Sequence, residues 1–208
     1  TTTGATVFSG LDELDKSVLI YRQLLQWMGG MGLIVLAIAV MPLLGIGGGQ
    51  LFKTQTPGAM SNQKLTPRIT NTARALWLIY LGLTILCLSS YKLAGMSFFD
   101  SFAHALSTVS IGGFSTHDAS IGFFNNINIE IVCMVFMILS AINFSLHYGL
   151  IYRKQFLKYF YDPELRFFLS ILFVITTVVC ISLFTLTDIA NPLRYGIFQS
   201  VSIVTTTG

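Results

Sequence analysis

The chain has 208 residues, of which 53% are hydrophobic and only 10% are charged. A soluble domain usually carries about 25% charged residues, because its surface must be hydrated. The composition therefore excludes an ordinary water-soluble protein and predicts an all-α membrane protein. The formal net charge of +3 comes from dispersed basic residues and argues against nucleic-acid binding. Three cysteines, Cys87, Cys133 and Cys180, lie in apolar runs and are expected to be small buried hydrophobic residues.

Four hydrophobic segments are long enough to cross a bilayer, whose apolar core takes about 20 helical residues. They occupy residues 23–52, 75–91, 131–152 and 167–187. Basic residues cluster after the first and third of these segments, at Lys53, Lys64, Arg68, Arg74, Arg153, Lys154, Lys158 and Arg166. The positive-inside rule makes both clusters cytoplasmic, so both ends of the chain are expected on or near the outer side.

Residues 97–116 lie between the second and third spans and do not have the pattern of a spanning helix. Ser97 with Asp100 three residues later has the form of a capping box, which predicts that a helix starts there. A helix of about 10 residues is roughly 15 Å long, half of the ~30 Å hydrocarbon core. It then meets a stretch rich in glycine, serine and threonine. This combination predicts a re-entrant pore loop, because irregular backbone at membrane depth must lie against protein or a water-filled path.

The same pattern recurs after the last span. Asn191 is a candidate helix cap, and Pro192 suits a first helical position. When Gly208 is aligned with Gly113, residues 202–205 align with residues 107–110, a repeat of about 95 residues. Residues 1–6 fit the same loop. The sequence therefore predicts span–pore-loop–span repeats around a central pore. The chain would contain the end of one repeat, one whole repeat and the start of another.

The residue types in these loops suit a dehydrated monovalent cation. A row of backbone carbonyls can replace the hydration shell of such an ion. Glycine permits the unusual dihedrals that this geometry requires. A pore helix that ends at the loop directs the negative end of its dipole towards the ion path. The loops contain no lysine or arginine, which an anion pore would be expected to have.

Several of these segments resemble the Trk/Ktr/HKT superfamily of potassium transporters. The resemblance lies in the loops at residues 1–6, 111–120 and 204–208. Three further motifs are similar to bacterial TrkH-type uptake subunits: Trp27-Met-Gly-Gly-Met-Gly-Leu33, Met41-Pro-Leu-Leu-Gly45 and Asn143-Phe-Ser-Leu-His147. The match covers essentially the whole chain. A full member of the family has four repeats, so the chain is expected to be an internal fragment, truncated at both ends.

The resemblance implies an ion-binding filter in three loops. Its residues would be Thr1, Thr2, Thr3, Gly4, Ser110, Ile111, Gly112, Gly113, Thr205, Thr206, Thr207 and Gly208. Gly112 departs from the threonine that the other two loops have at this position, Thr3 and Thr207. The middle loop is therefore expected to be less hydroxyl-lined, which loosens the expectation of strict potassium selectivity.

The resemblance also implies a division of the chain into four parts. Residues 1–52 would hold the filter and final span of the second repeat, and residues 53–72 a cytoplasmic loop. Residues 73–160 would form the complete third repeat. Residues 161–208 would supply the first span, pore helix and filter start of the fourth.

Polar residues interrupt the span at residues 131–152, at Ser140, Asn143, Ser145 and His147. One interpretation is a continuous helix whose polar side chains bond to neighbouring helices. The interpretation that the resemblance favours is a broken helix whose irregular middle lies beneath the filter and acts as a gate. Two other histidines receive structural interpretations: His104 as a packing or hydrogen-bonding residue, and His117 as part of a solvated loop rather than a cation-attracting rim.

These observations are compatible with three functions. The favoured one is a channel-like pore subunit for potassium uptake across the bacterial inner membrane, and the alternative is a potassium symporter coupled to sodium or protons. A scaffold or an intramembrane enzyme is disfavoured, since no Ser/His/Asp set, acid pair or metal cluster is visible. The resemblance further implies potassium as the bound ion, a homodimer and a cytoplasmic nucleotide-binding ring of TrkA type. Membrane lipids are the simpler partner for the basic loops.

Overall fold

The computed structural model describes residues 2–40, 65–186 and 191–208. Within these ranges the regular secondary structure is helical and no strand occurs, which confirms the predicted all-α class. The α-helices are α1 Lys16–Val40, α2 Leu65–Leu93, α3 Phe98–Val109, α4 Ile127–Ala141, α5 Phe144–Arg153, α6 Phe156–Tyr161, α7 Pro163–Leu186 and α8 Pro192–Val204. Short 3-10 helices occur at Leu11–Glu13 and Ser120–Phe124.

Two of the described helices are long and apolar enough to cross a membrane: the Arg74–Leu93 part of α2 and the whole of α7. Helices α4 and α5 together have the apolar length of a third span, but they meet at a bend of 90°. The predicted spans at residues 75–91, 131–152 and 167–187 therefore coincide with described helices, except that residue 187 lies outside the described residues. The first predicted span starts on α1, and its continuation from residue 41 to residue 52 lies outside the described residues.

Helices α2 and α7 both begin before the spans that the sequence predicts. Helix α2 starts at Leu65, so the last part of the predicted loop at residues 53–72 is helical. Helix α7 starts at Pro163, a residue whose missing N–H costs nothing in the first turn. The Asp162 carboxylate accepts hydrogen bonds from the backbone N–H groups of Glu164 (3.0 Å) and Leu165 (3.1 Å), which explains this early start.

The short helix α3 lies at the centre of the fold, packed against α1, α2 and α4. Eight of its twelve residues are buried, a larger share than in the long helix α7, whose apolar side chains are mostly exposed. The core around it includes Tyr80, Tyr91, Met137 and Val201. The three cysteines are buried and free, as expected. Because it is enclosed on several sides, α3 holds the loop that follows it in a fixed place.

The two short helices begin in different ways. Ser97 caps α3: its hydroxyl oxygen accepts from the backbone N–H of Asp100 at 3.1 Å and donates to the Asp100 carboxylate at 2.7 Å. The predicted helix start is confirmed, with Ser97 as its cap. The Asp100 carboxylate accepts from the Ser97 hydroxyl rather than from the Ser97 backbone N–H that a full capping box would use. The predicted cap at Asn191 is wrong, because Asn191 has a left-handed backbone (φ 61°) and its side chain makes no capping hydrogen bond. Pro192 does occupy the first turn of α8, as predicted.

Candidate functional site

The loops that follow α3 and α8 have the same backbone conformation. Ile111 and Thr206 have φ values of 56° and 63°, and Gly113 and Gly208 have values of 76° and 85°. A positive φ is unusual for a β-branched residue and costs roughly 1–3 kcal/mol, so the surrounding structure must enforce it. The two pairs are separated by the same interval that the sequence repeat predicts. Gly4 of the first loop lies outside this positive-φ range.

The hydrogen bonds that end the two helices are also equivalent. The backbone N–H of Gly112 donates to the carbonyl oxygen of Ser107 at 2.9 Å, and that of Thr207 donates to Ser202 at the same distance. The N–H groups of the preceding residues likewise bond back into the last turns of α3 and α8. The two pore helices thus end in one repeated turn, and both direct the negative ends of their dipoles into the loops.

The three predicted filter loops meet at one point. A Cβ atom added to Gly4 would lie 2.8 Å from the carbonyl oxygen of Thr207 and 3.1 Å from that of Gly112. A Cβ atom added to Gly113 would overlap the Thr207 carbonyl oxygen and lie 3.0 Å from that of Gly208. Carbonyl oxygens from two loops therefore crowd the meeting point, where only glycine leaves enough room. Thr1 lies outside the described residues.

The hydroxyl groups at the start of the loops face their own helices. Ser110 Oγ donates to the carbonyl oxygen of Ser107 at 3.1 Å, and Thr205 Oγ1 donates to that of Val201 at 2.8 Å. The same two carbonyl oxygens also accept backbone hydrogen bonds, from the N–H groups of Gly112 and Thr205. The protons of the Ser110 and Thr205 hydroxyls are thus directed back to the ends of α3 and α8.

The predicted break in the third span is confirmed, at Ile142 and Asn143 between α4 and α5. Asn143 caps α5, since its Oδ1 accepts from the backbone N–H of Ser145 at 3.0 Å. Its Nδ2 donates to Glu164 at 3.2 Å, and His147 Nε2 is bonded to the carbonyl oxygen of Leu139 at 2.9 Å across the break.

The irregular middle of this span is short, and of the four polar residues only Asn143 lies in it. Ser140 lies on α4, while Ser145 and His147 lie on α5, because the Asn143 cap restarts the helix at once. A cleft of about 350 Å³ opens beside this break. Its polar lining residues are Asn143, Ser145, Arg153, Gln155, Tyr159, Asp162 and Glu164.

The outer ends of the first two loops are tied together by acidic and histidine side chains. The Asp118 carboxylate accepts from the backbone N–H groups of Gly10 (3.0 Å) and Leu11 (3.1 Å). His117 Nδ1 contacts the Asp12 carboxylate, and this hydrogen bond lowers the pKa of Asp12 below its usual value. The loop is solvated at Asp118 and the two residues after it, as predicted, but the His117 side chain itself is only 17% exposed.

The prediction for His104 is confirmed. The ring is buried, with Nδ1 bonded to the carbonyl oxygen of Asp100 and Nε2 bonded to Ser115 Oγ, both at 2.9 Å. His104 therefore links the first turn of α3 to the segment that follows its loop.

Two groups of residues at this site were missed by sequence reasoning. Gln26 on α1 bonds to the middle loop, and its only sequence signal is a polar residue within an apolar span. Arg194 at the start of α8 forms a two-pronged ion pair with Glu130 on α4, at 2.7 and 2.8 Å. The sequence places Arg194 in a predicted pore helix and Glu130 at the edge of a span. Neither position indicates that the two residues would pair.

An all-helical membrane protein with two equivalent pore helices, whose loops converge with a third, belongs to the pore-loop class of membrane transport proteins. The model of the family described as "TrkH: Cation transport protein" matches residues 1–208. The chain belongs to this family. Its family and its apolar helices place it in the bacterial inner membrane.

Related proteins show the same likeness. The chain is 50% identical to the Trk system potassium uptake protein TrkH of Halomonas elongata, and 45% identical to TrkG of Escherichia coli K12. It aligns over its whole length with 44% and 43% of those proteins. The crystal structure of the potassium transporter TrkH from Vibrio parahaemolyticus superposes with a TM-score of 0.85 at 46% identity, over all of this chain and 42% of that one. The chain thus spans less than half the length of these relatives.

Proposed function

We propose that this chain forms part of the pore of a potassium uptake protein, in which backbone carbonyls of the three loops ligate the ion. The observation that carries the proposal is the convergence of Gly4 with the carbonyl oxygens of Gly112 and Thr207. In the middle and last loops, positive φ values at Ile111 and Gly113, and at Thr206 and Gly208, alternate with the ordinary φ of the residue between them. Alternating dihedrals are what a path lined by successive backbone carbonyls requires. The relatives named as potassium uptake proteins support potassium as the transported ion.

The filter would consist of the residues that the resemblance implies, from Thr1 to Gly4, from Ser110 to Gly113 and from Thr205 to Gly208. Three loops do not enclose an ion, so conduction is proposed for the complete four-repeat protein. In that protein residues 1–52, 53–72, 73–160 and 161–208 would be the end of the second repeat, a cytoplasmic loop, the third repeat and the start of the fourth. The proposed role is transport rather than catalysis.

The function is tested by potassium flux through the full-length protein in liposomes, with Gly4→Ala as the variant. The added methyl group would lie within contact distance of two carbonyl oxygens, so we expect potassium flux to fall at least about tenfold. Gly122→Ala is the matched control, because a Cβ atom there meets nothing within 4 Å. Equal flux in the two variants would reject a filter at Gly4. Flux that follows the potassium gradient alone, indifferent to sodium and pH, would exclude the symporter.

We also propose that the break between α4 and α5 is the gate, involving Ser140, Asn143, Ser145 and His147. The support is the sharp bend together with side chains that hold it, of which Asn143 joins the cap of α5 to Glu164 on α7. An element held by a few hydrogen bonds can have two arrangements that differ by little free energy.

Asn143→Ala tests the gate. Loss of a cap costs about 1 kcal/mol, enough to change a two-state equilibrium about fivefold, so the open fraction of single channels should change by that factor. Asn126→Ala is the control, because Asn126 caps α4 in the same way, through the backbone N–H of Asn128 at 2.9 Å, but at the other end of that helix. An identical open fraction in wild type and Asn143→Ala would contradict this role.

The partners follow from the family and are proposed on that basis: a second copy of the subunit, a cytoplasmic nucleotide-binding ring of TrkA type, and membrane lipids. Arg153 and Lys154 are exposed at the end of α5 and, with Lys158, are the candidate residues for the ring or for anionic lipid. Neutral replacements at the three positions should weaken co-purification with the ring. Unchanged co-purification would assign these residues to lipid instead.

A further inference from the structure

Gln26 belongs to α1, but its side chain lies where the first and the middle loops meet. It is 1% exposed, and its side chain reaches both the first and the middle loop. We propose that Gln26 is a positioning residue that sets ion specificity: its carboxamide takes the space of the side chain that Gly112 lacks and fixes the Gly112 carbonyl. This inference rests on the proposed function of the loops as an ion filter.

All the hydrogen-bonding capacity of the Gln26 carboxamide is used on the loops and on the last turn of α3. Nε2 donates to the carbonyl oxygen of Gly112 at 2.5 Å and faces that of Thr3 at 3.4 Å. Oε1 accepts from Ser107 Oγ at 3.0 Å and from the backbone N–H of Phe114 at 3.2 Å. A flipped amide would set its oxygen against two carbonyls and its NH₂ group against an N–H donor, so the partners fix its orientation.

The absence of a side chain at residue 112 is what admits Gln26. A Cβ atom added to Gly112 would overlap the carboxamide of Gln26. The other two loops have threonine at the equivalent position, Thr3 and Thr207. In the last loop, Thr207 Oγ1 bonds instead to Thr205 Oγ1 at 2.9 Å, within the loop itself. The middle loop therefore exchanges its own hydroxyl for an amide supplied by a neighbouring helix.

Helix α1 approaches the middle loop closely enough for this contact because of Gly30, one turn after Gln26. A Cβ atom on Gly30 would lie 3.1 Å from Ser110 Cβ and 2.9 Å from the Tyr80 hydroxyl. Residues four apart lie on one face of a helix, so Gly30 and Gln26 face the same loop. The close approach of Gly30 to Ser110 therefore also brings the Gln26 amide to the Gly112 carbonyl.

A carbonyl that accepts a short hydrogen bond is held in one direction and is less free to close around a smaller ion. Selectivity among monovalent cations depends on the number, field strength and mobility of the coordinating carbonyls. Gln26 should therefore restrict how far the Gly112 carbonyl can adjust, which disfavours sodium relative to potassium and rubidium.

The test measures potassium, rubidium and sodium flux through the full-length protein in liposomes, with Gln26→Leu as the first variant. We expect the potassium-to-sodium flux ratio to fall about tenfold, as loss of hydrogen bonds to a buried carbonyl would cause. The matched control is Gln23→Leu. Gln23 lies one turn earlier on α1, is 0% exposed and has no hydrogen-bond partner for its amide among the described residues. A ratio unchanged by Gln26→Leu, in a protein that still conducts, overturns the inference.

A second pair of variants keeps the inference testable if Gln26→Leu fails to assemble. Gly112→Ala alone should reduce potassium flux because its methyl group meets the Gln26 amide, and adding Gln26→Ala should restore part of that flux. A double variant as impaired as the product of the two single effects would overturn the pairing. The proposed function fails separately, if the wild-type protein shows no potassium-selective flux at all.

Discussion

The loops after α3 and α8 have nearly the same backbone but are held in different ways. In the last loop, Thr205 and Thr207 bond to each other through their hydroxyl groups. In the middle loop, Gly112 replaces the second threonine, and Gln26 of α1 makes the bonds instead. A repeated backbone therefore does not require repeated side chains. Each loop has a positive-φ residue that must be held in place, and different neighbours hold it in the two loops.

The two short helices that lead into these loops differ in the same manner. Helix α3 is capped within its own sequence, by the Ser97 side chain at the backbone N–H of Asp100. Helix α8 has no side-chain cap, and Arg194 in its first turn pairs with Glu130 of α4. Helix α8, which leads into the last loop, is thus held at its start by α4, whereas the middle loop is held at Gly112 by α1.

The largest expected effect concerns the glycines that end the two loops. Alanine at Gly113 or Gly208 must adopt a positive φ, which costs about 1 kcal/mol or more. At Gly113 the methyl group would in addition overlap the Thr207 carbonyl, whereas at Gly208 the nearest atom is 4.0 Å away. We expect Gly113→Ala to lower potassium flux in liposomes by about a hundredfold and Gly208→Ala by about tenfold. Equal losses would show that the two loops are constrained alike.

A smaller effect is expected at the starts of the pore helices. Ser97→Ala should cost about 1 kcal/mol, the usual value for a lost cap. Arg194→Ala should lower the midpoint of thermal unfolding in detergent further than Ser97→Ala does, because it leaves the Glu130 carboxylate, 10% exposed, without its partner. Arg194→Lys keeps the charge but loses the two-pronged geometry, and should fall between wild type and Arg194→Ala. If Ser97→Ala were the more harmful change, α8 would not depend on this ion pair.

Sequence reasoning succeeded where the signal was local or repeated. The cap at Ser97 needs only residues three apart, and the shared turn of Ile111 and Thr206 follows from the repeat. It failed at Asn191, whose left-handed backbone keeps its side chain from capping α8, a conformation that the local Asn-Pro pattern does not indicate. It also missed Gln26, because the Gly112 contact joins positions 86 residues apart. One available signal was the presence of Gln26 in an apolar span together with Gly112 in a predicted filter loop, where the other two loops have threonine.

The smallest expected effect lies at the outer ends of the first two loops, where Asp12 and His117 are paired. The hydrogen bond from His117 lowers the pKa of Asp12 in the folded protein. A lowered carboxylate pKa stabilises the fold fully above the unfolded value of 3.8, and this contribution is lost as the pH falls through the folded value below it. Asp12→Asn should therefore lower the unfolding midpoint slightly at pH 6, and the difference from wild type should vanish at the acid end. A difference for Asp12→Asn that stays constant down to the acid end would mean that this pairing does not tie the two loops together.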